Sequence, residues 1–276
     1  MNRIAVISMA RNDDMFISKW IAYYGEHFGL NNLYLILDGL DQEKPDNQEI
    51  NCIKVPHKQL TRSKGDKNRV QIVSKLAQSL FKRYDRVIAC DIDEFLVLDP
   101  NTNTNLYDYL IQLKGGSSRS ALGLDIGQHL DKESSIDLSQ PFLGQRDYAV
   151  ISSRYTKPVV ALKPITWGSG YHRVKNKNFK IDPNLYLFHF GMVDFERSGG
   201  KTKDQSRLDQ GWTQHLDRRF AIFKQITEAE HILNETFLGQ ARQIQNTKRP
   251  IYAWNKPGSL KEVSILKIPK RFKGIV

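Results

Sequence analysis

Apolar and polar positions alternate along the chain in blocks that change period. The run "RIAVIS" (3–8) is short and continuously apolar, the pattern of a strand buried on both faces of a parallel sheet. After it, Phe16, Ile17, Trp20, Ile21, Tyr24 and Phe28 recur at helical spacing, with Asn12, Asp13 or Asp14 placed to cap the helix and Gly29 to stop it. "NLYLILD" (32–38) predicts a second strand and "NCIKVP" (51–56) a third, with a breaker-rich loop between them. Val70, Val73, Leu76, Ala77, Leu80 and Phe81 then mark the apolar side of a helix over 66–84. "DRVIACDIDEFLVL" (85–98) predicts a fourth strand, and its strand signal is the strongest in the chain.

Strands alternating with helices or loops over the first 98 residues predict an α/β fold with a mostly parallel central sheet and helices on both faces. Beyond 119 the texture changes. Strand-like pieces at 119–126, 148–162 and 184–191 are broken by Gly, Pro and Ser, and helical patterns return after about 203. The last thirty residues, with "KRPIYAWNKPG" and "KIPKRFKG", are basic and proline-broken and read as a surface segment. No stretch has the composition of an interdomain linker, so 1–205 reads as one domain and 206–276 as a helical, basic C-terminal part packed on it.

A hydrophobic content of 40% with 10% aromatics is enough for a sizeable core and excludes wholesale disorder. No apolar run approaches the roughly 18 to 20 residues of a transmembrane helix. The opening run reads as a strand, not a signal peptide. Two cysteines, Cys52 and Cys90, both in predicted strands, exclude a disulfide scaffold and fit a reducing cytoplasm. The formal net charge of +11 calls for an anionic partner: nucleic acid, a phosphorylated small molecule or a lipid surface.

The candidate chemistry gathers at Asp91, Asp93 and Glu94. Asp91 follows four apolar residues, and ligand sites in open α/β sheets lie beyond the carboxyl ends of such strands. Residues i and i+2 of an extended chain point the same way, so Asp91 and Asp93 read as a pair that could share one hard cation. His189, at the end of "LYLF", is either a third ligand through a neutral ring nitrogen or a satisfied core histidine. His172, in "GSGYHRV" beside Arg173, suits contact with phosphate or sugar. Trp167 and Trp212 sit near glycines, where packing is the commoner role. Asp-x-Asp after a strand also occurs in phosphatases with an aspartyl nucleophile. Those usually carry it on the first strand, with Thr or Val where this chain has Phe95.

In these residues the chain resembles the GT-A type glycosyltransferases, in the family-2-like and family-92-like group. The resemblance rests on an ordered set. Arg11-Asn12-Asp13 forms the turn after the first strand, Trp20 lies in the helix, Asp38 ends the second strand, and Cys90-Asp91-Ile92-Asp93-Glu94-Phe95 forms the later box. His189-Phe190, Phe195-Glu196 and Lys201 match a later pattern. The likeness is good over 3–98, thinner over 163–201 and absent after about 205.

It implies a nucleotide-sugar donor, with UDP the group's habit, on 1–98 and an acceptor on 99–205. Ala10, Arg11, Asn12 and Asp38 would hold the nucleoside, and Asp91 and Asp93 would hold Mn²⁺ or Mg²⁺ against the donor diphosphate. Basic groups near the same strand ends, Arg62, Lys64, Lys67 or Arg69, would add charge. Inverting transfer needs a carboxylate to take the acceptor proton, and Asp125, Asp194 and Glu196 are the candidates. The implied acceptor is a bacterial surface polysaccharide or lipopolysaccharide, and +11 would also favour peripheral contact with an anionic inner leaflet. Two rivals fit less well. A nucleotidyltransferase normally has a glycine-rich basic loop after its first strand, and "SMARNDD" has no glycine. A nucleic-acid-binding protein would leave the acidic box unexplained, so no nucleic-acid partner is expected.

Overall fold

The computed structural model describes residues 3–46, 49–202, 213–249 and 251–276, with side chains at 200–202 and 213–215 left aside. Trp212 and the Lys201 side chain therefore lie outside the described residues. The fold is mixed α/β, built on one large sheet that is parallel at its core. Strands β1 (Ile4–Ala10), β2 (Leu33–Asp38), β3 (Asn51–Val55) and β4 (Arg86–Ala89) lie in the order β3-β2-β1-β4, all parallel.

The continuous apolar runs have a direct cause. In β1, Ile4 and Val6 face one side, where α1 (Asp14–Phe28) packs through Phe16, Trp20 and Tyr24. Ala5, Ile7 and Met9 face the other, against Val70, Val73 and Ala77 of α2 (Arg62–Leu80). With both faces covered, every β1 position is apolar except Ser8, whose hydroxyl donates to the Cys90 carbonyl at 3.0 Å.

The predicted single strand over 85–98 is two strands. β4 ends at Ala89, the chain turns with Glu94 N–H donating to the Asp91 carbonyl at 3.0 Å, and β5 (Glu94–Leu98) leaves in another direction. Tyr23 and Tyr24 of α1 hold β5 through hydrogen bonds to the Leu96 carbonyl and from the Leu96 N–H, each 2.8 Å. After the short helix α3 (Leu106–Gln112), the ten-residue β6 (Ser118–Gly127) serves both parts of the sheet. Its first half pairs with β8 (Lys157–Ala161), which is antiparallel to β4. Its second half pairs with β7 (Tyr148–Ile151), so the predicted strand over 148–162 is also two.

Along its other edge β6 runs parallel to β9 (Ile181–Met192), which carries β5 antiparallel on its far side. The short helix α4 is Phe195–Thr202, and the later α-helices among the described residues are α5 (Thr213–Thr227) and α6 (Phe237–Thr247). The C-terminal segment is a surface stretch in its first part, where Ile251 and Tyr252 are exposed, but not in its second. β10 (Ile265–Lys267) pairs with β7, and Phe272 is buried between Tyr186 and Phe188. No helix among the described residues is long and apolar enough to cross a membrane.

Candidate active site

A cleft of about 420 Å³ opens beyond the carboxyl ends of β1, β2 and β4. Ala10, Arg11, Asn12, Asp38, Arg69, Asp91, Asp93, His172 and His189 all line it. At one end Arg11 donates to the Asp38 carbonyl at 2.5 Å and pairs with Asp41 at 3.0 Å, while Asp38 Oδ2 meets His57 Nδ1 at 3.0 Å. Asn12 takes a left-handed conformation (φ 50°), and its N–H and side chain both bond Gln42, which fixes the turn after β1. The lining carries more lysines and arginines than aspartates. Lys58, Arg62, Arg154, Lys157 and Arg219 join Arg11 and Arg69 along it.

Asp91 and Asp93 both line the cleft, but across the turn between β4 and β5 they have different ion-pair partners. Asp91 is clamped by Arg69 Nη1 and by Lys157 Nζ at 2.8 Å, and Arg69 also holds Asp66 at 2.7 Å. The strand register explains the lysine: β8 pairs Val160 with Ile88, and three further steps along that ladder bring Lys157 opposite Asp91. Lys157 also holds the fully buried Glu94 at 2.5 Å, and a second Glu94 oxygen accepts from the Asp91 N–H at 3.2 Å. Burial opposes the charge on Asp91, but Arg69 and Lys157 outweigh it and bring its pKa down to about 2. Burial wins at Glu94, pushed up to about 7 despite Lys157. Burial and then Lys157 lower His172 to about 4, which keeps it neutral above that pH.

The second cluster is built on the other part of the sheet. β5 pairs Glu94 with His189, so Asp93 stands beside that histidine, and β6 pairs Asp125 with it from the opposite edge. His189 Nδ1 meets Asp125 Oδ1 at 2.6 Å, and Nε2 lies 3.3 Å from Asp93 Oδ2 and 2.9 Å from Arg219 Nη2. A guanidinium can only donate, so in the neutral ring that Arg219 contacts Nε2 accepts and Nδ1 carries the proton given to Asp125. Tyr155 stacks on the imidazole with centroids 3.8 Å apart. Its turn can approach because residue 123 is glycine: a Cβ there would stand 2.2 Å from the Tyr155 carbonyl carbon. Burial opposes charge on His189, yet Asp93 and Asp125 together raise its pKa.

The Asp93 oxygen and the unprotonated Nε2 are two lone-pair donors converging on one point. Two ligands at about 2.1 Å from an octahedral ion stand about 3 Å apart, so this pair fits Mn²⁺ or Mg²⁺ as a two-ligand site completed by other oxygens. Residue 191 is again a glycine for a spatial reason. A Cβ there would fall 1.8 Å from Arg219 Nη2, 2.5 Å from Asp93 Oδ2 and 2.8 Å from His189 Nε2. Among the described residues no three carboxylate, imidazole or thiol groups come together as a complete cation site. Asp91, with its oxygens on Arg69 and Lys157, is less suited to a cation than the sequence suggests.

The three candidate bases stand outside the cleft lining. Asp125 lies behind His189 and acts on it. Asp194 is buried, paired with Arg146 at 3.4 Å, and caps α4 by accepting from the Arg197 N–H at 3.0 Å. Glu196 is exposed and meets Ser135 Oγ at 3.3 Å. Trp167 is a packing residue, 1% exposed, with its Nε1 donating to the Pro158 carbonyl. Lys157, Tyr155, His57 and Arg219 were not among the residues singled out from the sequence. A lysine opening an apolar strand ("KPVVA") is the one local sign any of them gave.

No protein-family model matches the chain, and no curated protein matches it. Among solved structures it overlaps that of mannose-1-phosphate geranyltransferase from Thermus thermophilus, with a TM-score of 0.32 and 11% identity. The overlap covers 84% of this chain and 66% of that one. Likeness at that level establishes neither a shared family nor an activity.

Proposed function

We propose that the chain is a GT-A-like glycosyltransferase that moves a sugar from a nucleotide-diphosphate donor to a hydroxyl of a glycan or glycolipid. The observation that carries this is the Asp93–His189 pair, converging at a basic cleft beyond the carboxyl ends of parallel strands. A bound divalent cation would act there as a Lewis acid on the departing diphosphate. The chain's own residues do the rest. Asp125 holds the His189 ring so that Nε2 faces the cleft, and Tyr155 fixes the ring plane. The Arg11–Asn12 turn and Asp38 form the end suited to a nucleoside, and the basic wall draws the phosphates in. Asp91 keeps Arg69 and Lys157 in place along that wall. UDP is the first donor nucleotide to test, and a bacterial surface glycan or glycolipid the first acceptor class.

Calorimetric titration of UDP, GDP and CMP, with and without Mn²⁺, tests the reading on wild type and Asp93→Asn. One nucleotide should bind in a Mn²⁺-dependent manner, weakened about tenfold or more by the substitution. Binding indifferent to both Mn²⁺ and Asp93 would remove the cation from the mechanism, and no binding of any of the three would remove the donor.

A further inference from the structure

His189 Nε2 has one lone pair and two claimants. In the structure Arg219 Nη2 donates to it at 2.9 Å and stands 3.6 Å from Asp93 Oδ2. A divalent cation held by Asp93 and His189 would need that same lone pair. It would also lie no more than about 5 Å from the guanidinium, since it sits about 2.1 Å from Nε2. The two cannot hold the nitrogen together, and their charges repel across a largely desolvated gap.

Arg219 is not there by accident of a loose surface chain. It comes from α5, which is anchored on β7, β9 and β10 by Ile222, Phe223 and Ile226 against Tyr148, Met192 and Ile265. Its side chain is 14% exposed, its Nε is buried without a hydrogen-bond partner, and the missing Cβ of Gly191 makes the space it fills. An unpartnered buried Nε marks a guanidinium whose hydrogen bonding is only partly satisfied in this position.

We propose that Arg219 is a tethered cation that occupies the Asp93–His189 pair until a divalent ion displaces it. Arg219 is thus a positioning residue, and the cation site is one that opens by exchange. The released guanidinium remains at the cleft wall, where a donor phosphate is its natural partner. This inference rests on the reading of Asp93 and His189 as a cation pair.

The test is Mn²⁺ binding, read from the loss of the free-ion electron paramagnetic resonance signal, on wild type and Arg219→Met, each with and without UDP. Without UDP, Arg219→Met should bind Mn²⁺ about tenfold tighter than wild type or better, because one like charge and one competitor for the lone pair are gone. Adding Asp93→Asn to Arg219→Met should abolish the gain. Mn²⁺ that binds wild type with UDP, but binds Arg219→Met no better than wild type alone, overturns the inference and leaves the cation reading standing. No Mn²⁺ on either protein, with or without UDP, overturns both. A second measurement needs no variant. Phenylglyoxal modification of Arg219 in the wild-type protein, followed by peptide mass spectrometry, should speed up severalfold when Mn²⁺ is added without UDP, whose phosphates would cover the released guanidinium. An unchanged rate in a protein shown to bind Mn²⁺ contradicts displacement.

Discussion

Asp91 and Asp93 are separated by one residue and belong to different kinds of charge cluster. Around Asp91, three carboxylates share two cations: Arg69 closes on Asp66 and Asp91, and Lys157 on Asp91 and Glu94. Around Asp93, an imidazole and a guanidinium meet the carboxylate at the cleft. His189 is held from behind by Asp125, and Arg219 reaches the pair with one guanidinium nitrogen while its Nε has no partner. A buried cluster in which every carboxylate is held by a cation is a wall; one in which a carboxylate, an imidazole and a guanidinium meet at the cleft is a place where charge can exchange. The contrast also shows why an Asp-x-Asp pair cannot be read as two equal ligands. The turn between β4 and β5 divides them.

The largest effect that would sharpen this contrast is on stability. Lys157→Met strips two buried carboxylates of their shared cation and should cost about 3 to 5 kcal/mol in urea denaturation. Arg219→Met should cost clearly less, because its guanidinium is only partly satisfied. Equal losses would erase the distinction between wall and exchange site. Next in size, Gly191→Ala puts a methyl among Arg219, Asp93 and His189. It should weaken Mn²⁺ binding about tenfold, about 1.4 kcal/mol, while leaving Asp91 and its partners untouched.

The smallest effect concerns the frame of the second cluster. Arg271 grips both oxygens of Asp99, just past β5, at 2.8 and 3.0 Å. Burial opposes charge on Asp99, but its hydrogen bonds from Arg271 and from the Asn101 N–H hold the carboxyl below the usual range. A depressed carboxylate contributes stability above its unfolded pKa, about 3.9, and loses it as pH falls through the folded value. The stability gap between wild type and Asp99→Asn should therefore be about 1 kcal/mol at pH 7 and close below about pH 4. A gap that persists into acid would mean the substitution acts through packing.

Much of the first half was legible because its strands are buried on both faces and its helices on one. Such segments declare themselves as continuous runs and helical stripes, as in Ile4–Ala10 and Asp14–Phe28. The division at 90–93 was not legible: the residues on both sides are apolar, and periodicity carries no sign of a change of sheet partner. β10 was hidden by its length and by its basic neighbours, although Ile265, Leu266, Ile268 and Phe272 are all buried. The cleft residues of β1, β2 and the Asp91–Asp93 turn follow from strand ends, which the sequence marks. Lys157 reaches Asp91 from 66 residues away and Arg219 reaches His189 from 30, and no local pattern encodes such meetings.

The same turn at 90–93 has a consequence for how the protein is made. β1 to β4 pair among themselves within the first 89 residues, so that half can form as soon as it is synthesised. β5 must wait for β9, far downstream of it. Contacts that distant are the slow ones in folding. Asp91 waits for Lys157, 66 residues downstream, and Asp93 for the still more distant His189, so both ion-pair clusters are late features of the molecule and the Asp93–His189 pair the later.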